Sequence, residues 1–216
     1  MKSMKALQIL STLLTAALLA SCASAPPAND FRKAAPQEGP RQIAIEGRLQ
    51  VQNKEEKKTF TLTMAAVVVE PSNLRLDING PFGKPLGKVV IRGDSMGLLV
   101  PQQKKAYIGA VSEHSFKPVL PMTLHPRALM SFLMGDVPRD WECVFEAPDK
   151  QVCVQKQLGL MLTRDPRPEM KKSKWRVEGE KFSLVFLPTD IKTNVQPKPD
   201  TFAMTIPDGY SRHKLP

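Results

Sequence analysis

Few residues in this chain could do chemistry. Three cysteines and three histidines in 216 residues make up its stock of soft nucleophiles and metal ligands. His114, His125 and His213 have no cysteine or carboxylate partner at an i+3 or i+4 interval, so no metal set forms around them. They read as isolated surface or capping residues. No Gly-x-Ser-x-Gly, phosphate-binding Walker loop or His-Glu-x-x-His stretch occurs. The Glu55-Glu56 pair sits among lysines in a solvated turn, not opposed as an acid and a base. No enzymatic activity, metal or cofactor is expected. Cys143 and Cys153 lie symmetrically about Pro148 in consecutive expected strands, and they face each other if the hairpin is centred there. A four-residue loop would slip the register by one and separate them.

Cys22 is the remaining candidate. Lys2 and Lys5 precede Ala6 to Ala20, a stretch in which only Gln8, Ser11, Thr12 and Thr15 are polar. That stretch is short of the ~20 apolar residues of a spanning helix, but it fits the apolar region of a secretory signal. It ends in Leu19-Ala20-Ser21-Cys22, which resembles the bacterial lipobox. The resemblance implies cleavage before Cys22, a diacylglyceryl thioether on its sulfur and acylation of the new amino terminus. The plainer reading is a signal peptide that happens to contain a cysteine. At roughly 0.8 kcal/mol per buried CH₂, three acyl chains would anchor the protein far beyond the marginal one-chain case. Ala23, not Asp, would follow the lipidated cysteine. By the sorting rule of enteric bacteria, this implies the outer membrane, facing the periplasm. That compartment is oxidising, so Cys143 and Cys153 are expected to form a disulfide.

The formal charge is +10, with 42% hydrophobic and 24% charged residues. This composition excludes a disordered chain, a collagen and a multi-span membrane protein. Removing residues 1–21 takes two lysines and no acid, which leaves +8. For an envelope protein the basic surplus points to anionic lipid or an acidic protein partner, and nucleic acid drops out. Residues 22–41, with Pro26, Pro27, Pro36 and Pro40, form the lipidated cysteine and a tether. Residues 42–216 form one domain.

The elements of that domain follow from a period of two. Ile43, Ile45, Gly47, Leu49 and Val51 alternate with polar residues, as do Phe60, Leu62 and Met64, and then Leu74, Leu76 and Ile78. Further strands are expected at 88–92, 97–100, 106–108, 141–146, 151–156, 158–162, 175–177, 182–187 and 202–206. One helix is expected in Leu124 to Gly135, with Pro126 in its first turn, Gly135 just past its end and Leu129, Phe132 and Leu133 on one face. Residues 112–116 stay open between a loop and a helical turn, so the helical insertion falls near 111–135. The fold class is mainly β: an incomplete antiparallel barrel, a strongly curved sheet of about eleven strands with one or two helices as a lid.

Several stretches together resemble the LolB family of outer-membrane lipoprotein receptors, within the LolA/LolB-like lipoprotein-sorting superfamily. They are Ile45-Glu46-Gly47-Arg48-Leu49-Gln50-Val51, Leu76-Asp77-Ile78-Asn79-Gly80-Pro81-Phe82-Gly83, Lys105-Ala106-Tyr107, and the run from Pro121 through Leu129 and Gly135 to Pro138. The resemblance covers residues 42–138 and the lipobox. Phe202 to Tyr210 looks like the closing strand and turn of the wider superfamily. The family implies an apolar cavity for acyl chains and receipt of lipoproteins from a soluble LolA-like carrier. It also implies insertion of lipoproteins into the outer membrane through a protruding loop with an exposed apolar residue. The position here that matches that residue is Phe82.

The loop's own chemistry is consistent with this. Gly80-Pro81-Phe82-Gly83-Lys84-Pro85-Leu86-Gly87, with three glycines and two prolines in eight residues, is not expected to continue a strand ladder, and the neighbours of Phe82 are too small to bury it. Lys84 and Lys88 suit anionic headgroups. A hairpin whose Phe82 folds back on the core is the plainer alternative. Leu129, Met130, Phe132 and Leu133 are either a helix face packed on its own sheet or a movable lid over an acyl cavity. Methionines at 122, 130 and 134 would suit a chain of variable shape. The Lys171-Lys172-Lys174 cluster is an edge protected by charge, or a dock for an acidic carrier or headgroups. Two functions stand at this point. One is a receptor that binds acyl chains and delivers lipoproteins. The other is the same fold serving as a protein-interaction or assembly-scaffold module without lipid transfer.

Overall fold

The computed structural model describes residues 41–119, 123–146, 150–165 and 173–216. The signal peptide, Cys22, the tether to residue 40, Met122, the 147–149 turn, Lys171 and Lys172 lie outside the described residues.

Twelve strands form one sheet. They are β1 (Gln42–Asn53), β2 (Lys58–Val69), β3 (Asn73–Asn79), β4 (Pro85–Arg92), β5 (Ser95–Val100), β6 (Lys105–Ala110), β7 (Glu142–Glu146), β8 (Lys150–Gln155), β9 (Leu160–Asp165), β10 (Lys174–Glu178), β11 (Phe182–Thr193) and β12 (Ser211–Lys214). Their order is β12-β6-β5-β4-β3-β2-β1-β11-β10-β9-β8-β7. All neighbours are antiparallel except β12, which runs parallel to β6. The sheet is strongly curved and does not close, since β12 and β7 each keep one free edge. One helix, α1 (Pro126–Met134), covers the concave side.

The alternation in the sequence sets the faces. In β1, Ile43, Ile45 and Leu49 are buried inward while Glu46, Arg48 and Gln50 are exposed. The register slips between Glu46 and Gly47 where β1 meets β11, opposite Pro188. Such a bulge bends the pair, and it is one of the few places in a sheet where proline is tolerated. Gly47 is required here, because a Cβ would collide with the Leu187 carbonyl oxygen and the Phe186 ring.

The C-terminal segment departs from expectation. Residues 202–206 form no strand; β12 begins at Ser211 instead. Phe202, Met204 and Ile206 are half-buried while Ala203 and Thr205 are exposed, because the segment lies across the convex face of the sheet. The Arg75 guanidinium donates to the Thr201 carbonyl, and Met204 packs where a Gly97 side chain would stand. One wet side and one dry side produce the alternation without any ladder. Beneath this strap Val90, Leu99 and Ala106 are buried on the convex side. The chain then adds β12, and Leu215 turns in against Gly109 at the sheet's edge.

The 112–116 stretch is a series of turns, so α1 is the single α-helix among the described residues.

Candidate functional site

Helix α1 is placed by its ends. His125 caps the N-terminus, its Nδ1 accepting from the Arg127 amide at 3.2 Å, and Pro126 fills the first helical position. This cap needs a neutral imidazole. Burial, then the Arg127 charge, pushes the His125 pKa below its ordinary value. At the other end Gly135 adopts φ 83°, and the Asp136 amide returns to the Ser131 carbonyl at 2.8 Å, which is a glycine-terminated stop. The Asp136 carboxylate meets the Arg41 guanidinium, which also grips Glu70 through both carboxylate oxygens. Arg41 precedes β1 and Glu70 follows β2, so this ion cluster ties the helix to the start of the sheet. The Glu70 and Asp136 hydrogen bonds raise the Arg41 pKa, while Arg41 holds Glu70 below the ordinary carboxylate range.

Between helix and sheet lies a cavity of about 500 Å³, within the roughly 300–1,000 Å³ of ordinary small-molecule sites. Leu49, Leu62, Leu76 and Val89 contribute from the sheet, and Phe116 and Val119 from the segment before the helix. Of the expected helix residues, Leu129, Phe132 and Leu133 line the cavity. Met130, as buried as Phe132 and Leu133, packs in the core and does not line the cavity. Among the described residues no charged side chain reaches the wall, and its only amide side chains are Gln102 and Gln103, both exposed. Phe60, 53% exposed, also lines the space and is accessible from outside. Such a wall solvates hydrocarbon and rejects ions.

The loop Gly80, Pro81, Phe82 and Gly83 is a single turn between β3 and β4, closed by the Gly80 amide on the Lys84 carbonyl at 2.8 Å. Phe82 is fully exposed and adopts φ 61°, ψ 23°, so its ring stands clear of the protein. Residues 85–87 do not leave the sheet as expected: Pro85 and Gly87 pair with Asn79 and Ile78 across a register shift that accommodates the proline, and Leu86 and Gly87 reach the cavity wall, which sets the loop beside the site.

Cys143 and Cys153 are opposite one another in β7 and β8 and joined by a disulfide. Among the described residues no cluster of histidine, cysteine and carboxylate could hold a metal. His213 lies against Tyr107 and Ser211 at the β12 edge, and His114 lies near Glu113. Lys174, the described member of the expected lysine cluster, opens β10 and is exposed.

Sequence reasoning did not single out Trp175, Phe186, Arg41 or Arg164. Trp175 had a signal, since it stands between Lys174 and Arg176 in a strand and therefore faces inward. It is 2% exposed, edge-on to Phe132 and Phe186 at 6.2 and 5.6 Å. The Arg164 guanidinium stacks 4.9 Å from its ring centroid.

No family model matches this chain. No curated protein matches it either. Among solved structures the chain is similar to a LolA superfamily protein from Nitrosomonas europaea, at 10% identity over 78% of this chain and 91% of that one, with a TM-score of 0.43. It is also similar to a DUF1329 family protein from Desulfovibrio piger, at 10% identity over 77% of this chain and 90% of that one, with a TM-score of 0.46.

Proposed function

We propose that this protein binds acyl chains in the cavity between α1 and the curved sheet. In this reading it is a lipoprotein anchored through Cys22 in the outer membrane, facing the periplasm, and it receives lipoproteins from a LolA-like carrier and inserts them into that membrane. The observation that carries the reading is the volume of about 500 Å³, open on one side, with no charged side chain in its wall among the described residues. Hydrocarbon gains roughly 0.8 kcal/mol for each CH₂ it buries there, so affinity should rise with chain length. The sequence resemblance over residues 42–138 and the lipobox supply the remainder: carrier, membrane and anchor.

The Phe82 loop supplies the route to the bilayer. A fully exposed aromatic ring next to Lys84 pairs an apolar wedge with a charge that favours anionic headgroups. Displacement of a fluorescent fatty acid from the unlipidated mature chain tests the cavity. Saturable binding that tightens with chain length is expected, and its absence sinks the receptor reading in favour of an interaction module. For the loop, Phe82→Leu should keep transfer of lipoproteins into vesicles. Phe82→Glu should abolish transfer while leaving fatty-acid binding intact, and full transfer by the Glu variant removes the loop from the mechanism.

A further inference from the structure

Gly87 is a glycine that neither backbone conformation nor packing requires. Every other described glycine either has a positive φ or would bring a Cβ within 3.1 Å of a neighbouring atom. Gly87 does neither: a Cβ built on it meets only the Leu99 carbonyl oxygen, at 3.9 Å, an ordinary contact. It lies inside β4, where glycine costs chain entropy and leaves the strand without side-chain packing. The register shift beside it makes no demand for glycine either. Leu86 is the extra residue there, and φ at Gly87 lies outside the left-handed region.

Its place in the fold supplies a reason. Gly87 lines the cavity, as do Ile78, its partner on β3, and Val89, the next residue of β4 on the same face. Leu86 lines the wall as well, and the Phe82 loop ends just before it at Lys84. Ile78, Leu86 and Val89 therefore surround a patch of bare backbone between the loop and the apolar space. A glycine within a strand often marks the close approach of a ligand to the backbone. This wall is apolar, so the group that approaches is hydrocarbon.

We propose that Gly87 is the threshold of the cavity: an acyl chain crosses the sheet there with its methylenes packed on the bare strand. This rests on the acyl-chain reading of the cavity and adds the residue that admits the chain. A side chain at this position would fill space that the ligand needs and the protein does not. Each methylene shut out of the cavity lowers affinity about fourfold. Gly87→Ala should therefore weaken fatty-acid binding about fourfold, and Gly87→Val, with three added carbons, about tenfold or more.

The test titrates the unlipidated mature chain and both variants with cis-parinaric acid, a linear fluorescent fatty acid. The graded loss from wild type through alanine to valine is the expected result. Urea unfolding should find Gly87→Val as stable as wild type, since a β-branched residue suits a strand and has room here. A folded Gly87→Val that binds within about twofold of wild type overturns the proposal. A second measurement needs no variant and decides the matter should Gly87→Val fail to fold. Isotope-filtered nuclear Overhauser spectra of labelled wild-type protein with unlabelled palmitate should connect chain methylenes to the Gly87 Cα protons. Contacts to Leu62 or Leu129 without contacts to Gly87 overturn the proposal as well. If the wild-type protein binds neither fatty acid, the acyl-chain reading itself falls, a result distinct from chains that bind away from Gly87.

Discussion

Replacing Phe82 separates two properties that usually travel together, burial and backbone conformation. The ring is fully exposed and the backbone is left-handed at φ 61°. Deleting a buried phenylalanine side chain costs about 3–5 kcal/mol, mostly from lost burial and the cavity left behind. Here there is no burial to lose, so Phe82→Ala should change stability by less than about 0.5 kcal/mol. Phe82→Gly removes the contact of Cβ with the following carbonyl oxygen, a relief of about 1–2 kcal/mol. Against it stands the greater freedom of glycine in the unfolded chain, about 0.5–1 kcal/mol. The glycine variant should therefore be about as stable as wild type or up to ~1.5 kcal/mol more so. Urea unfolding of the three proteins, compared at a common slope, measures this directly. Transfer into vesicles should fall in both variants, because both lose the ring. A loss above about 2 kcal/mol in both would mean that the ring packs on the domain, and would refute the exposed-loop reasoning.

Gly97 and Met204 test the C-terminal strap. Gly97→Ala places a methyl in the volume of the Met204 thioether and should cost about 1–3 kcal/mol by overpacking. Met204→Ala should recover much of that loss in the double variant, and strictly additive unfolding energies would show that the strap does not pack there. The two ends of α1 predict a pH dependence. His125 must be neutral to accept from Arg127, and its pKa is held below the ordinary 6.5. The unfolded chain thus binds the proton more readily, and stability is complete above that value and declines as pH falls through and below it. Glu70 is held below its ordinary 4.5 by Arg41. Its contribution is present above that value and lost as pH falls to the folded-state pKa; it is at most about 1 kcal/mol because the cluster is partly exposed. His125→Asn keeps a capping oxygen without the titration. It should remove the upper window from a Tm-against-pH curve and leave the lower one, and an unchanged upper window would assign it elsewhere.

Where burial is periodic, the sequence is legible. Ile43, Ile45 and Leu49 mark the inner face of β1 by alternation alone, and Pro126 with Gly135 brackets α1 because those residues have few other uses at helix ends. β12 was invisible for the opposite reason: Ser211, Arg212, His213 and Lys214 are all exposed, and only the partner strand makes them a strand. The 202–206 stretch misled because alternation reports one dry side, whether that side is a sheet's core or the back of another sheet. The cavity is the deeper case. Leu129, Phe132 and Leu133 were assigned to an apolar face, yet a filled core and an unfilled one require the same pattern of apolar positions. Only the curvature of the sheet decides whether the space between helix and strands stays open.

An open sheet around a cavity with an apolar wall has an obvious alternative, which is to flatten or collapse until the wall packs on itself. A closed barrel prevents this by continuous pairing, and this sheet has two free edges instead. Each edge is reinforced beyond the pairing of its antiparallel meander. At one, the disulfide links β7 to β8, so the last hairpin cannot slip in register. At the other, β12 pairs with β6, Leu215 seals the corner against Gly109, and the strap crosses the convex face back toward β3. Between them the Gly47 bulge bends the long β1–β11 pair, and the Arg41 cluster holds the C-terminal end of the helix over the concave side. Curvature is thus imposed from outside the cavity, by residues that never touch its contents. The lining is then free to be uniformly apolar, which suits a site that must accept chains and release them.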